Sequence, residues 1–189
     1  GFYDKGDDRY NLLSALQKSV RGSDPDAAVH YLARLLDGGA DIQMIGRRLL
    51  VMASEDVGMA YPSAISIVTA CVQAAQMVGM PEAVINLAQA VVLMAAAPKS
   101  NASYMALEEA MHDIKTKKID DVPNHLKDTH YKGAADLGYG GYKYPHAYGG
   151  YVKQQYLPDN LYKQGVKYYK PTENGSEAAF KKYLESLEK

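Results

Sequence analysis

Along the first two-thirds of the chain, apolar residues recur at spacings of three and four, the period of a helix with one buried face. Leu12, Leu13, Leu16 and Val20 mark a first helix over 9–20, stopped by Gly22. Ser23-Asp24-Pro25-Asp26 opens a second, with an acidic N-cap, a proline in the first turn and negative charge beside the helix N-terminus. Val29, Leu32, Leu35 and Leu36 form its apolar side, and Gly38-Gly39 ends it. Asp41 caps a third helix carrying Ile42, Ile45, Leu49, Met52 and Val57 and ending near Gly58. Such short connections predict antiparallel neighbours.

The pattern then loses its polar face. Between Val57 and Pro98 only Glu82 is charged, although charged residues make up 23% of the whole. Gly79-Met80-Pro81-Glu82 interrupts this run with a C-cap glycine and a proline suited to a first helical turn. Two helices follow from it, over 62–78 and 81–97, apolar nearly all round and therefore buried in protein or in lipid. Pro62, Ser63, Ser66, Thr69, Gln73 and Gln76 load the first too heavily for a membrane span of ~20 mainly apolar residues. The second is short and carries Asn86 and Gln89, and neither has a basic cluster or aromatic belt at its ends. Burial in protein is the reading, with no membrane partner.

Ser100 or Asn101 caps a sixth helix to about Lys118, with Tyr104, Leu107, Met111 and Ile114 as its apolar face. After Asp120 the texture changes. Residues 139–169 hold nine of the sixteen tyrosines, interspersed with Gly138, Gly140, Gly141, Gly149, Gly150 and Gly165 and broken by Pro145 and Pro158. That density of turn residues argues against long helices and leaves room for short hairpin-like pieces near 152–156 and 166–169. A last helix is expected over 176–187, using Ala179, Phe180, Tyr183, Leu184 and Leu187. The expected organisation is an all-α bundle over 1–118 and a Tyr/Gly/Lys-rich segment over 119–189 packed on it.

Net charge is only -1, but it is unevenly spread. Residues 1–114 hold 8 Lys+Arg against 13 Asp+Glu, while residues 115–170 hold 10 lysines against 5 aspartates. An acidic helical part is joined to a basic, tyrosine-rich part. One cysteine, Cys71, excludes an intrachain disulfide, fits a reducing compartment and should be buried and inert. The first residues contain no apolar signal core and no initiator methionine, so an excised fragment without a signal peptide is expected.

Candidate chemistry is sparse. No Gly-x4-Gly-Lys-[Ser/Thr] loop and no Gly-x-Gly-x-x-Gly turn occurs. His30, His112, His125, His130 and His146 lack metal-ligand spacing, and no nucleophile elbow is present. No catalytic, cofactor or metal residue is assigned. Asn101-Ala-Ser and Asn174-Gly-Ser match the glycosylation pattern by chance. Two groups remain. Tyr142 and Tyr151 could stack bases while Lys143 and Lys153 follow phosphates, as in single-strand binders; the preferred alternative is structural packing of the rings. Arg47, Arg48, Glu55 and Asp56, at the end of the third helix, read as a salt-bridge or subunit-contact cluster rather than an arginine finger.

Several of these motifs resemble a known family. Arg21-Gly22-Ser23-Asp24-Pro25-Asp26-Ala27-Ala28, Ala53-Ser54-Glu55-Asp56-Val57-Gly58 and Pro98-Lys99-Ser100-Asn101 are similar to the C-terminal domain of RarA/MgsA proteins. Gly138-Tyr139-Gly140, Tyr142-Lys143-Tyr144-Pro145-His146 and Gln155-Tyr156-Leu157-Pro158 extend the likeness, which covers about residues 3–171. These are replication-associated recombination AAA+ ATPases, with the Werner helicase-interacting protein as a eukaryotic relative. The resemblance implies a clamp-loader-collar-like helical domain that assembles its ATPase into a homotetramer. It also implies a cytoplasmic, nucleoid-associated bacterial parent acting at stalled or damaged forks. That parent would bind DNA ends or single-strand gaps and single-stranded-DNA-binding protein, using ATP and Mg. The ATPase module is absent from these residues, so no catalytic position carries over. Ala147 stands where the family is often acidic, which weakens any role inferred for that turn. The expected function is a non-catalytic oligomerisation domain. The alternative is a nucleic-acid-binding module using 139–170, and an enzyme ranks below both.

Overall fold

The computed structural model describes residues 7–188, with side chains from residue 8. Eight α-helices and no β-strand occur among the described residues, so the chain is all-α, as its periodicity predicts. They are α1 (Asp7–Arg21), α2 (Pro25–Asp37), α3 (Ile42–Met52), α4 (Ala64–Val78), α5 (Ala83–Ala96), α6 (Ala102–Thr116), α7 (Asp159–Lys163) and α8 (Glu177–Leu187). The start signals work as read. The Asp24 carboxylate accepts the Ala27 N–H at 2.9 Å, and the Asp41 carboxylate accepts that of Gln43 at 3.3 Å. Each satisfies a donor that the first helical turn leaves without an internal partner.

Two compact units divide the chain. One takes residues up to Met105 together with Tyr169–Ser186, and the other takes Ala106–Tyr168 with Leu187–Lys189. In the first, α5 is the central helix and packs against each of α1, α2, α3 and α4. Its Leu87, Val91 and Met94 are buried with Leu16 and Val20 of α1, Leu35 of α2, Ile45, Leu49 and Met52 of α3, and Val68 of α4. The apolar run supplies the middle of the core, and Cys71 lies in it as a free, buried thiol whose pKa burial raises. No described helix is long and apolar enough to cross a membrane.

The second unit is held differently. Among its described residues the only buried apolar ones are Ala134 and Leu161, and hydrogen bonds made by side chains supplement this small core. Asp120 and Asn160 exchange them, the Asp120 N–H donating to Asn160 Oδ1 and the Asn160 N–H to Asp120 Oδ2, each at 3.1 Å. Asn160 Nδ2 also donates to Lys118 O at 2.9 Å. His125 Nε2 lies 2.7 Å from Gln155 O, and the Tyr168 hydroxyl donates to Asp113 Oδ2 at 2.7 Å.

Four expectations need correction. The third helix does not run regularly to Val57; from Ala53 to Val57 it widens into a π-turn, followed by a 3-10 turn at Gly58–Ala60. The stripe on α6 is not buried, Tyr104, Leu107, Met111 and Ile114 all being exposed. Small residues, Ala102, Ala106 and Ala110, occupy its less exposed side instead. On α8 the same reversal holds, since Phe180, Tyr183 and Leu184 are exposed while Glu177 is buried. Finally, 152–156 and 166–169 form no strands, and the short helix α7 lies between them.

Gly46 on α3 marks a close contact with α4. A Cβ there would stand 2.6 Å from Cγ1 of Val72 on α4, so the two helices approach as closely as a bare backbone allows. Alanine normally gains ~1 kcal/mol over glycine inside a helix, yet overpacking costs roughly 1–3 kcal/mol. Gly46→Ala is therefore expected to lower stability by about 1 kcal/mol in urea unfolding. Adding Val72→Ala should make the pair less costly than the sum of the singles. Strict additivity would show that this contact does not set the spacing.

Candidate functional site

The most polar part of the first unit lies where α1, the π-turn and the α5–α6 connection meet. Arg21 closes α1, and its guanidinium forks between two carboxylates. Nε donates to Asp56 Oδ1 at 2.7 Å and Nη2 to Glu55 Oε2 at 2.7 Å. Gln17, one turn earlier, donates from Nε2 to Glu55 Oε2 at 2.9 Å and to Asp56 Oδ2 at 3.3 Å. Arg48 Nη2 donates to Gln17 Oε1 at 2.8 Å and so joins the network at one remove. Adjacent side chains on a regular helix diverge by about 100°. The wider π-turn lessens that divergence and lets Glu55 and Asp56 meet one guanidinium. Their hydrogen bonds and charges hold the Arg21 pKa above its ordinary value, the Asp56 bond contributing most.

Asp56 is 3% exposed, and a carboxylate so placed is tolerated only when its oxygens are satisfied. Its backbone takes part as well, the Asp56 carbonyl accepting the Ser100 N–H at 2.9 Å. Gly58 lies against the same residue with φ 48°, where a Cβ would meet Ser100 O at 2.7 Å. Glycine is required twice over, for the dihedral and for the space. The Ser100 hydroxyl accepts the Ala102 N–H at 3.2 Å and caps α6. Lys99 Nζ donates to Ser23 Oγ and Ala95 O, each at 3.1 Å, and to Ala97 O. Burial lowers its pKa, while Asp56 opposes that shift.

The returning C-terminal segment closes the junction. Asn174 Nδ2 donates to Lys99 O at 3.0 Å, and the Ser176 N–H to Ala60 O at 2.9 Å. Glu177 is wholly buried and accepts from the Tyr169 hydroxyl at 2.7 Å, the Thr172 N–H at 3.1 Å and the Thr172 hydroxyl at 2.5 Å. Burial pushes this carboxyl up, but the bonds from Ser100, Thr172 and Tyr169 outweigh it and hold the pKa below the ordinary value. Tyr169 responds oppositely, its phenol pushed up to about 12 by burial and by Glu177.

Of the residues singled out in the sequence, Glu55 and Asp56 are central here, Arg48 is peripheral, and Arg47 is exposed with no partner among the described residues. The cation that Glu55 and Asp56 share is Arg21, within the Arg-Gly-Ser-Asp-Pro motif but 34 residues before Glu55. Gln17 and Glu177 were not foreseen, and an isolated polar residue in a helical pattern gives no signal for either. In the second unit Lys143, Lys153, Tyr142 and Tyr151 are all exposed. Gln154 ties the first of these to its own stretch, its Oε1 accepting the Lys143 N–H at 3.2 Å and its Nε2 donating to Lys143 O at 2.8 Å. No group of three or more His, Cys, Asp or Glu able to hold a metal ion occurs among the described residues. The junction's carboxylates are all engaged, so its chemistry is that of a lock.

All three motifs that open the resemblance, at residues 21–28, 53–58 and 98–101, thus meet at one point. A family model described as MgsA AAA+ ATPase C terminal matches residues 22–188. The chain belongs to this family. Replication-associated recombination protein A of Bacillus subtilis is 54% identical over 97% of the chain and 44% of its own length. An AAA domain-containing protein of Mycobacterium tuberculosis is 52% identical over 98% of the chain and 41% of its own length. Replication-associated recombination protein A of Haemophilus influenzae is 42% identical over 98% of the chain and 42% of its own length. The chain spans less than half the length of these relatives. In MgsA C-terminal terms, the lock joins the segments by which the domain resembles its family.

Two measurements test the lock. Breaking a fully buried ion pair costs roughly 3–5 kcal/mol. Arg21 is half exposed, so Arg21→Ala should cost about 2 kcal/mol in urea unfolding. Arg21→Lys should recover less than half, because one ammonium cannot fork between two carboxylates. A loss no larger than at an isolated surface arginine would refute the lock. For Glu177, the lowered folded pKa means its contribution is complete above the unfolded value and fades as pH falls through the folded one. Tm should therefore drop as pH falls below the ordinary carboxyl value of 4.5, and less steeply in Glu177→Gln. An unchanged acid limb in that variant would count against the buried carboxylate.

Proposed function

We propose that this chain is a non-catalytic oligomerisation domain of a DNA-dependent AAA+ ATPase, collar-like in its role and acting in replication-fork maintenance, recombination and repair. The observation that carries this reading is the turn between α4 and α5. Met77 is 88% exposed and Ile85 67%, with Val78 and Met80 about half exposed between them. Soluble monomers rarely leave a contiguous group of large apolar side chains in water, and such a patch marks a protein contact. Ile65 and Val92 extend apolar exposure along the same two helices.

Family membership supports the rest. The relatives named replication-associated recombination protein A suggest a bacterial, cytoplasmic and nucleoid-associated parent. DNA ends or single-strand gaps and single-stranded-DNA-binding protein would be its partners. ATP and Mg would be handled by the part of the relatives that this chain does not span. Assembly into a homotetramer would set the arrangement of those ATPase modules.

A second reading, a nucleic-acid-binding role for residues 139–170, is favoured by one observation. Gln154 bonds the Lys143 backbone to the 153–156 run, so Lys143 and Lys153 come from separate stretches, with exposed Tyr142 and Tyr144 flanking Lys143 and exposed Tyr151 two residues before Lys153. The two readings are separable. Light scattering on the 189-residue chain should give a tetramer at tens of micromolar, and Met77→Asp with Ile85→Asp should reduce it to monomer without loss of helicity. Deleting residues 139–170 should leave assembly intact. A monomer from the unaltered chain would sink the oligomerisation reading.

A further inference from the structure

The second unit contains a cavity of about 410 Å³, bounded by His125, Leu126 and Thr129 on one side and by Gly140, Gly141 and Tyr142 on the other. Its walls are unlike those of a core gap. Gly140 and Gly141 have φ of 119° and 88°, and a Cβ at either would meet nothing within 4 Å. Glycine serves here to turn the backbone, and the result is a wall of bare peptide groups beside an aromatic ring. His125 Nε2 lies 2.7 Å from Gln155 O, which fixes the imidazole. Lys127 is also fixed, 2.8 Å from Asp121 Oδ2 and 4.7 Å from the centre of the Tyr139 ring. Neither can collapse into the space.

The surroundings carry a charge pattern. From residue 137 to 158 there is no Asp or Glu, while six tyrosines and two lysines occur. Tyr142, Tyr144, Tyr148, Tyr151 and Tyr156 are between 43% and 59% exposed, so their rings are not spent on a core. Lys143 and Lys153 have no ion-pair partner among the described residues. Gln154 holds the two lysine-bearing runs side by side and donates to the Tyr156 hydroxyl at 2.8 Å.

We infer that this cavity receives an unstacked base of a single-stranded nucleic acid, with Tyr142 stacking on it and Lys143 and Lys153 following the flanking phosphates. A flat heterocycle suits a cavity lined by apolar Leu126, the Tyr142 ring and the peptide groups of Gly140 and Gly141. Bases in a duplex are already stacked and paired, so a single strand is the form that can enter. The tyrosine-bearing wall adds no carboxylate over residues 137–158. The two carboxylates beside the opposite wall, Asp121 and Asp128, are paired with Lys127 and His130, which lessens the repulsion a phosphate chain would meet. This inference rests on the second reading above and adds to it a defined place for one base, the cavity between residues 125–129 and 140–142.

The test needs no substitution in its first arm. Anisotropy of a short labelled oligothymidylate is compared with that of an abasic strand of equal length and with a duplex. The oligothymidylate should bind at least about tenfold more tightly than the abasic strand, as expected for stacking of one base or more. Tyr142→Ala should lose about tenfold and Tyr142→Phe little, because the ring rather than the hydroxyl stacks. Lys143→Ala with Lys153→Ala should lower the slope of log affinity against log salt by about 1.4. Since the chain has no tryptophan, quenching of its tyrosine fluorescence by the oligonucleotide gives an independent readout. Equal binding of abasic and base-bearing strands, or a Tyr142→Ala chain that binds as before, overturns the base site while leaving the lysine-dependent reading standing. Failure to bind any strand overturns both.

Discussion

The polar contacts of the helical unit are arranged around a carboxylate almost removed from water, Asp56. Asp56 would be costly to bury alone, so its oxygens must be met by donors from elsewhere in the chain. They come from Arg21 and Gln17 on α1, while its backbone carbonyl receives the N–H of Ser100. One residue thus ties the end of α1, the π-turn after α3 and the connection from α5 to α6. The π-turn at Ala53–Val57 brings both Glu55 and Asp56 onto Arg21. Glu177 repeats the device, with Ser100 as the residue common to both networks.

Much of the helical architecture could be read from the chain because its determinants are local. Asp24 and Asp41 announce helix starts through bonds to residues two or three positions away, and the apolar spacing of α1 to α5 is a short-range repeat. What failed is equally physical. A π-turn adds one residue to a helical turn without disturbing composition, so Ala53–Val57 looked like a continuation of α3. On α6, periodicity located a stripe at Tyr104, Leu107, Met111 and Ile114 but could not say which side is covered. Its alanine side permits closer approach than bulky side chains do, and that side proved the less exposed.

The candidate site was half legible for a related reason. Glu55 and Asp56 stand out because they border an apolar run, and Arg47-Arg48 seemed their partners by nearness along the chain. The actual cation comes from a helix two elements earlier, and only tertiary packing makes that pairing. In the tyrosine-rich segment, composition identified the rings and lysines. Gln154, which bonds Lys143 and Tyr156, carries no charge and matches no motif, and the glycines that line the cavity looked only like turn residues.

Helix α5 connects these features into one argument. Its fourteen residues span about 20 Å. At its start lies the exposed apolar turn of Met77, Val78, Met80 and Ile85; at its end lies the polar lock. A catalytic centre needs ionisable groups left partly unsatisfied so that substrate can complete them. In the lock, Arg21, Glu55, Asp56 and Glu177 are each engaged by hydrogen bonds within the chain, and their role is to hold helices in register. The unsatisfied surface is apolar instead, at the other end of the same rigid helix. On the proposed oligomerisation reading, a patch carried on the ends of packed helices would lose little conformational freedom when a second copy covers it.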